Sequence, residues 1–484
     1  MAIDVQNPRT GTVDYRIEPL GTAELSEIIG GLRQAQPVWA AMAPGERAGL
    51  LGAFAGKLVE HAEPIVGALM QDTGRLGLSK VEFGGILGTI ERWANLAPKL
   101  IAETEAARTP AFVPGVEPGS IQTGTHLVPY PVVGVISPWN FPMLLGLLDA
   151  IPALAAGSAV IVKPSEVTPR WAAAVRAAVA EVPVLSDVFA IVDGDGSTGA
   201  ALVPLADYVV FTGSVATGRK VAVAAAEAFV PISLELGGKD PMVVLGSADV
   251  KSAAATALRG SVVATGQACQ SIEHVLVDRA IADEFVAELV AAAEQVRINH
   301  PDPTAGEIGP FIFPKQAAIV QRHIDDAVDR GAKVLTGGKV EIIDGGSYLR
   351  PTILVDVPAD AEVLTEETFG PVIPVTVFDT VDEAVERANA TRYGLSAAVL
   401  GGTAEEAAEV GRRINAGTIT INDSSLTTMV WDAEEASFGY SGIGPSRMGE
   451  SGLFRFFRRQ ALIEQSGPAW PLAAYSEEAI AAMG

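Results

Sequence analysis

The chain has 484 residues, with 34 Lys and Arg against 58 Asp and Glu, a formal net charge of −24. Hydrophobic residues make up 49% of it, which excludes a disordered polypeptide, and at roughly 100–200 residues per domain the length suits two to four domains. A single Cys excludes a disulfide scaffold and a multi-Cys zinc site, and the acidic balance argues against a nucleic-acid partner.

The first residues, Met1 to Val13, hold no charged stretch followed by an apolar run, so no signal peptide is expected. The longest apolar stretch, 143–162, contains Asp149, Pro152, Gly146 and Gly157. It reads as a buried helix followed by a strand, not as a membrane span. A cytoplasmic protein is the expectation.

Three- and four-residue apolar spacing predicts helices over 22–35, 44–70 and about 78–105. The segment 109–131 is rich in Pro, Gly and Thr and alternates over 120–128, which predicts a hairpin-like excursion from the main body. Beyond Pro131, short β-rich runs alternate with helical ones. Strands are predicted at 132–137, 159–163, 188–192, 208–212 and 232–235, with helices after Pro142 and over 169–181 and 216–228. A second series follows, with strands at 242–245, 274–277, 352–355, 373–378, 396–400 and 418–421. Helices are predicted at 250–265, 281–297, 314–330, 381–389 and 403–414, and 454–464 reads as a last strand. This is an α/β chain with two doubly wound parallel sheets.

Several segments carry chemistry. Tyr208 to Gly213 runs as a strand into Ser214 and then a helix that includes Gly218, a junction whose free N–H groups suit a phosphate. The spacing is not G-x-G-x-x-G, and such a junction is more often plain α/β geometry. Lys163 and Glu166 follow an apolar strand, where α/β sheets bind ligands, and could meet ribose hydroxyls or form a solvated turn. Cys269, in Gly266-Gln-Ala-Cys269, is either a buried hydrophobe or a nucleophile. Glu235 lies in an apolar strand, where a carboxylate is poised as a general base unless Lys239 neutralises it. Glu367 stands in a second acidic motif. Asn140, in Pro138-Trp-Asn-Phe-Pro142, could donate to an oxyanion or build a rigid turn.

In order and spacing these motifs resemble the aldehyde dehydrogenase superfamily, in its NAD(P)-dependent, non-phosphorylating, hydrolytic form, from Asn7 to the last strand. The carrying segments are Pro138-Trp-Asn-Phe-Pro142, Lys163-Pro-Ser-Glu166, Phe211-Thr-Gly-Ser214, Leu234-Glu-Leu-Gly-Gly-Lys239, Gly266-Gln-Ala-Cys269 and Glu367-Thr-Phe-Gly-Pro371. The resemblance implies that Cys269 attacks an aldehyde, that Asn140 and the Cys269 N–H form the oxyanion hole, and that Glu235 activates water to release the acid. It implies NAD, with NADP possible, held by Trp139, Lys163, Glu166, Gly213, Ser214, Gly218, Glu367 and Phe369. Glu166 would disfavour a 2′-phosphate. It further implies a cofactor domain (1–110 and 131–239), a catalytic domain (240–453) and an oligomerisation arm (111–130 and 454–484) of a homodimer or homotetramer.

The resemblance places the substrate wall at Phe141, Leu144, Leu148, Val263, Gln270 and Phe438, alongside Leu145 and Ala268, and none of these is charged. The expected substrate is therefore a neutral apolar or aromatic aldehyde. The alternatives are a succinate-semialdehyde-type dehydrogenase and a cofactor-independent thiol esterase. Two segments depart from the family pattern. The Cys loop is followed by Glu273-His274 where Arg is common, and 437–444 lacks the usual Lys.

Overall fold

Runs rich in β-branched residues form the centre of the first sheet. Val132–Ile136, Ala159–Lys163 and Tyr208–Thr212 are buried at every position, as strands covered on both faces must be. In this computed structural model, which describes residues 2–112, 119–469 and 471–481, they belong to a six-stranded sheet. Its order is Gly442–Ile443, Ile232–Glu235, Tyr208–Thr212, Val132–Ile136, Ala159–Lys163, Phe189–Ile191. All neighbours run parallel except Gly442–Ile443. The strand after Val132–Ile136 in sequence lies on one side of it, and Tyr208–Thr212 lies on the other. That reversal leaves a crevice beyond the carboxyl ends of these two central strands.

The second sheet has seven strands, in the order Lys333–Thr336, Thr352–Val355, Val372–Phe378, Ile272–Asp278, Asp240–Val244, Ser396–Leu400, Thr418–Ile421. Only its Lys333–Thr336 edge is antiparallel. Ile232–Glu235 ends the first sheet and Asp240–Val244 begins the second after four residues. The carboxyl edge of one sheet is thereby joined directly to the amino edge of the other. The α/β fold with two doubly wound, largely parallel sheets is the one read from the sequence.

A three-stranded antiparallel sheet joins Phe457–Gln465 to Ile121–Pro129 and Thr109–Pro110. Residues 113–118 and 482–484 of the expected arm, and Trp470, lie outside the described residues. Gly442–Ile443 pairs with Leu234 and Glu235 of the first sheet, and Leu453 and Phe456 enter the first sheet's core. The chain thus leaves the second sheet before 453, because the apolar Leu453 and Phe456 find their buried partners in the first.

Local differences from the expected elements have local causes. The predicted helix 44–70 is two helices, Pro44–Glu60 and Ala62–Thr73, broken at His61. The predicted helix 250–265 stops at Val262, since Ala264 and Thr265 take left-handed φ values of 58° and 61°. The short pairs Ile3–Gln6 with Val13–Ile17 and Glu341–Ile343 with Gly346–Tyr348, and the strand Lys333–Thr336, were not predicted, being brief and partly exposed. Among the described residues no helix is long and apolar enough to cross a membrane.

Candidate active site

The crevice at the strand reversal opens into a cleft of about 250 Å³. Pro138, Trp139 and Asn140 reach it from the loop after Val132–Ile136, and Gly213 and Ser214 from the turn after Tyr208–Thr212. Glu235, Cys269, Glu367 and Phe369 close it from the junction of the two sheets. Segments up to 231 residues apart in sequence meet here only because both sheets end at the same place.

Cys269 is a free thiol on the turn between the kinked end of the helix Val250–Val262 and the strand Ile272–Asp278. The kink is held by side chains. Thr265 Oγ1 donates to the Gly309 carbonyl at 3.0 Å, and Gln267 Nε2 donates to those of Ala264 and Pro310 at 3.1 and 3.3 Å. A Cβ on Gly266, whose φ is +66°, would lie 2.3 Å from the carbonyl carbon of Gly370. The Cys269 loop and the Glu367 loop can approach this closely only over a glycine. Burial, with Asp240 adding to it, pushes the Cys269 thiol up to about 12.

Asn140 is buried, and its Nδ2 donates to the Gln267 carbonyl at 3.0 Å, which ties it to the thiol loop. A second N–H on that amide remains for another acceptor. Glu235 Oε2 accepts from Ser437 Oγ at 3.0 Å. Ser437 and the adjoining strand Gly442–Ile443 belong to the segment without the usual Lys, so that segment forms one wall of the Glu235 site.

The residues expected to hold a dinucleotide lie in or beside this cleft. Ser214 caps the helix Val215–Ala228, with Oγ accepting from the Thr217 N–H at 3.3 Å. A Cβ on Gly218 would meet the Leu236 side chain at 2.6 Å, so glycine allows this helix to sit tightly on the sheet. Lys163 is buried and donates to the Gly194 carbonyl at 3.0 Å and to Glu166 at 3.3 Å. Neither Lys163 nor Glu166 lines the cleft, but both sit at the carboxyl end of the adjacent strand. Phe369, with φ +56°, packs edge-on against Trp139 with ring centroids 5.4 Å apart.

Glu273, a departure from the family pattern, holds the Phe369 turn. It accepts from the N–H groups of Thr368 and Phe369 at 2.8 and 2.7 Å, and from Lys239 Nζ at 2.7 Å. Lys239 therefore pairs with Glu273 and not with Glu235. Burial, then the neighbouring Glu273, pushes Glu367 up to about 8. His274 Nε2 meets Thr376 Oγ1 at 2.8 Å, and burial pulls the imidazole down to about 3, so it stays neutral.

The six substrate-wall side chains do not line this cleft; Leu145 does. Leu148 is buried, while Val263 and Phe438 are exposed. Phe141 packs on Arg75, the Leu144 N–H donates to Glu82 at 2.9 Å, and Gln270 Oε1 accepts from Thr427.

Residues 1–462 match the family model described as the aldehyde dehydrogenase family. The chain belongs to the aldehyde dehydrogenase family. It is 35% identical over 448 residues to a Mycolicibacterium smegmatis protein named "Putative succinate-semialdehyde dehydrogenase, NADP(+)", covering 92% of this chain and 85% of that one. Its fold matches the solved structure named "Putative Aldehyde Dehydrogenase PutA" of Anabaena variabilis at TM-score 0.93, with 45% identity over 97% of this chain and 99% of that one. It also matches the betaine aldehyde dehydrogenase of Staphylococcus aureus, solved with NAD+, at TM-score 0.88 with 28% identity over 97% and 93% of the two chains.

Sequence reading of this aldehyde dehydrogenase missed Arg75, Asp149 and Arg447. Arg75 donates to the carbonyls of Asn140 and Ala264. Arg447 contacts Glu235 and pairs with Asp149. Asp149 gave a usable signal, because a lone carboxylate in an apolar run needs a cationic partner. Arg75 gave none, since its partners lie 65 and 189 residues away.

Proposed function

We propose that this aldehyde dehydrogenase oxidises a neutral apolar or aromatic aldehyde to its carboxylic acid through a thioester on Cys269. The observation that carries the reading is the convergence of Cys269, Asn140 and Glu235 on one cleft. Enzymes of this family are NAD(P)-dependent oxidoreductases, and when bound NAD(P) supplies the hydride acceptor. Gly213, Ser214 and Gly218 would take the pyrophosphate, Lys163 and Glu166 the adenosine ribose, and Glu367 with Phe369 and Trp139 the nicotinamide end.

Cys269 Sγ forms a bond to the aldehyde carbon, giving a thiohemiacetal. Asn140 Nδ2 and the Cys269 N–H donate to the oxygen as it gains charge. Burial keeps the resting group a thiol, so its proton passes to solvent water as the C–S bond forms. After oxidation an acyl group remains on Sγ. Glu235 then takes a proton from water as the water attacks the acyl carbon, and the acid leaves with the thiol restored. Two carboxylates line the cleft, and Glu367, pushed up to about 8, is mostly protonated at neutral pH. Glu235 is left as the base.

No Lys or Arg lines the cleft among the described residues, which favours a neutral substrate. The name of the M. smegmatis relative favours succinic semialdehyde as the second reading. Glu166 favours NAD over NADP by repelling a 2′-phosphate. The sole thiol works only when reduced, as in the cytoplasm. The exposed strand Phe457–Gln465 offers an edge for a homodimer or homotetramer.

Relative kcat/KM for benzaldehyde, medium-chain aldehydes and succinic semialdehyde, each with NAD and NADP, tests the reading. A clear preference for succinic semialdehyde, or lower KM for NADP, overturns those parts. Cys269→Ala oxidising aldehydes overturns the whole, and ester hydrolysis without any aldehyde oxidation supports the thiol esterase.

A further inference from the structure

Arg447 is almost wholly buried behind the base. Its Nη2 donates to Asp149 Oδ2 and to Thr212 Oγ1, each at 2.7 Å. Thr212 is the register partner of Glu235 on the adjacent strand, so this anchor is fixed to the sheet that carries the base. Asp149 is fully buried and also accepts from Arg455. Two arginines thus share one buried carboxylate, and the cluster holds one cation in excess. Arg447 Nε has no hydrogen-bond partner and lies 4.0 Å from Glu235 Oε1. A buried cation with a vacant donor is costly unless a further anion offsets it.

We propose that Arg447 is the positioning residue of Glu235, aiming its carboxylate into the cleft with a cation set beside it. The proposal rests on Glu235 being the general base. Ser437 holds Oε2 and the guanidinium faces Oε1 without a hydrogen bond to it. The charge is therefore stabilised while an Oε1 lone pair stays open to the proton of water. Cys269 and Glu367 share the cleft with Glu235, and Glu435 is electrostatically coupled to it. Cys269 rests as a thiol, and Glu435 is bonded to Thr418. Arg447 is the cation facing Glu235.

The test is hydrolysis of p-nitrophenyl acetate by full-length enzyme with NAD present, between about pH 5 and 9. The burst reports acylation of Cys269, and the steady rate reports deacylation. In wild type the steady rate falls on the acid side as Glu235 takes up a proton. Arg447→Met should move that acid limb up by roughly one pH unit, with the burst amplitude kept, and Arg447→Lys should restore it. If Arg447→Met does not fold, Arg447→Gln, which keeps a donor for Asp149, carries the same measurement. An acid limb that stays in place while the rate falls uniformly would reduce Arg447 to packing and overturn the proposal. Glu235→Gln separates the two claims. If it deacylates at the wild-type rate, the base assignment falls and the proposal with it. If it stalls while the limb in the Arg447 variants is unmoved, the Arg447 role alone is refuted.

Discussion

Arg75 donates from its two terminal nitrogens to the backbone carbonyls of Asn140 and of Ala264. One buried guanidinium therefore sets the spacing between Asn140 and the kink that presents Cys269. Its five donors and planar fork suit such bridging better than a lysine would.

Arg75→Met should lower kcat/KM by about 10²-fold, the cost of misplacing reacting groups by roughly 1 Å. Arg75→Lys should recover only part of this. Initial rates of NAD(P)H formation check the effect, and an unchanged kcat/KM in a folded Arg75→Met protein would remove the clamp role.

Glu273→Gln leaves Lys239 buried without its anion and weakens the grip on the Phe369 turn. Breaking a buried pair in this way costs about 3–5 kcal/mol. Urea unfolding should show that loss, and fluorescence titration should show weaker NAD binding. A stability loss with cofactor affinity intact would limit Glu273 to the core.

Alkylation of Cys269 by iodoacetamide should accelerate steadily from neutral pH to about pH 9 in cofactor-free enzyme, because the thiol sits at about 12. As the sole Cys, it gives an unambiguous mass shift. A rate that levels off near neutral pH would mean that a thiolate is already present.

Asp149→Asn strips the anion from two buried arginines and should destabilise the fold by about 3–5 kcal/mol. Burial alone would raise the Asp149 carboxyl, but Arg447 and Arg455 outweigh it and hold it below its ordinary value. With the folded value depressed, its stabilisation is present above the unfolded value near pH 4 and fades as pH falls through the folded one. Thermal melts of wild type and variant should converge in acid; a constant gap would contradict the assignment.

Much of this was legible in the chain. Runs such as 159–163 and 208–212 read as buried parallel strands because their side chains are apolar on both faces. Cys269, Glu235 and Asn140 were each weak alone and became specific through their order. What escaped depends on contacts between distant segments. The stop at Val262 is imposed by Thr265 and Gln267 reaching the 309–310 loop, against local helical periodicity. Glu273 looked like a departure until its contact with Thr368 and Phe369, 95 and 96 residues on, gave it a purpose. The strand Lys333–Thr336 is largely exposed and carries no alternating pattern to betray it.

The most direct test is rapid mixing of Glu235→Gln with an aldehyde and NAD, followed by intact-mass analysis. The account predicts about one NADH per active site in a burst, then a stall, with an acyl adduct on Cys269 that Cys269→Ala never forms. Steady turnover in Glu235→Gln with no adduct on Cys269 would contradict it.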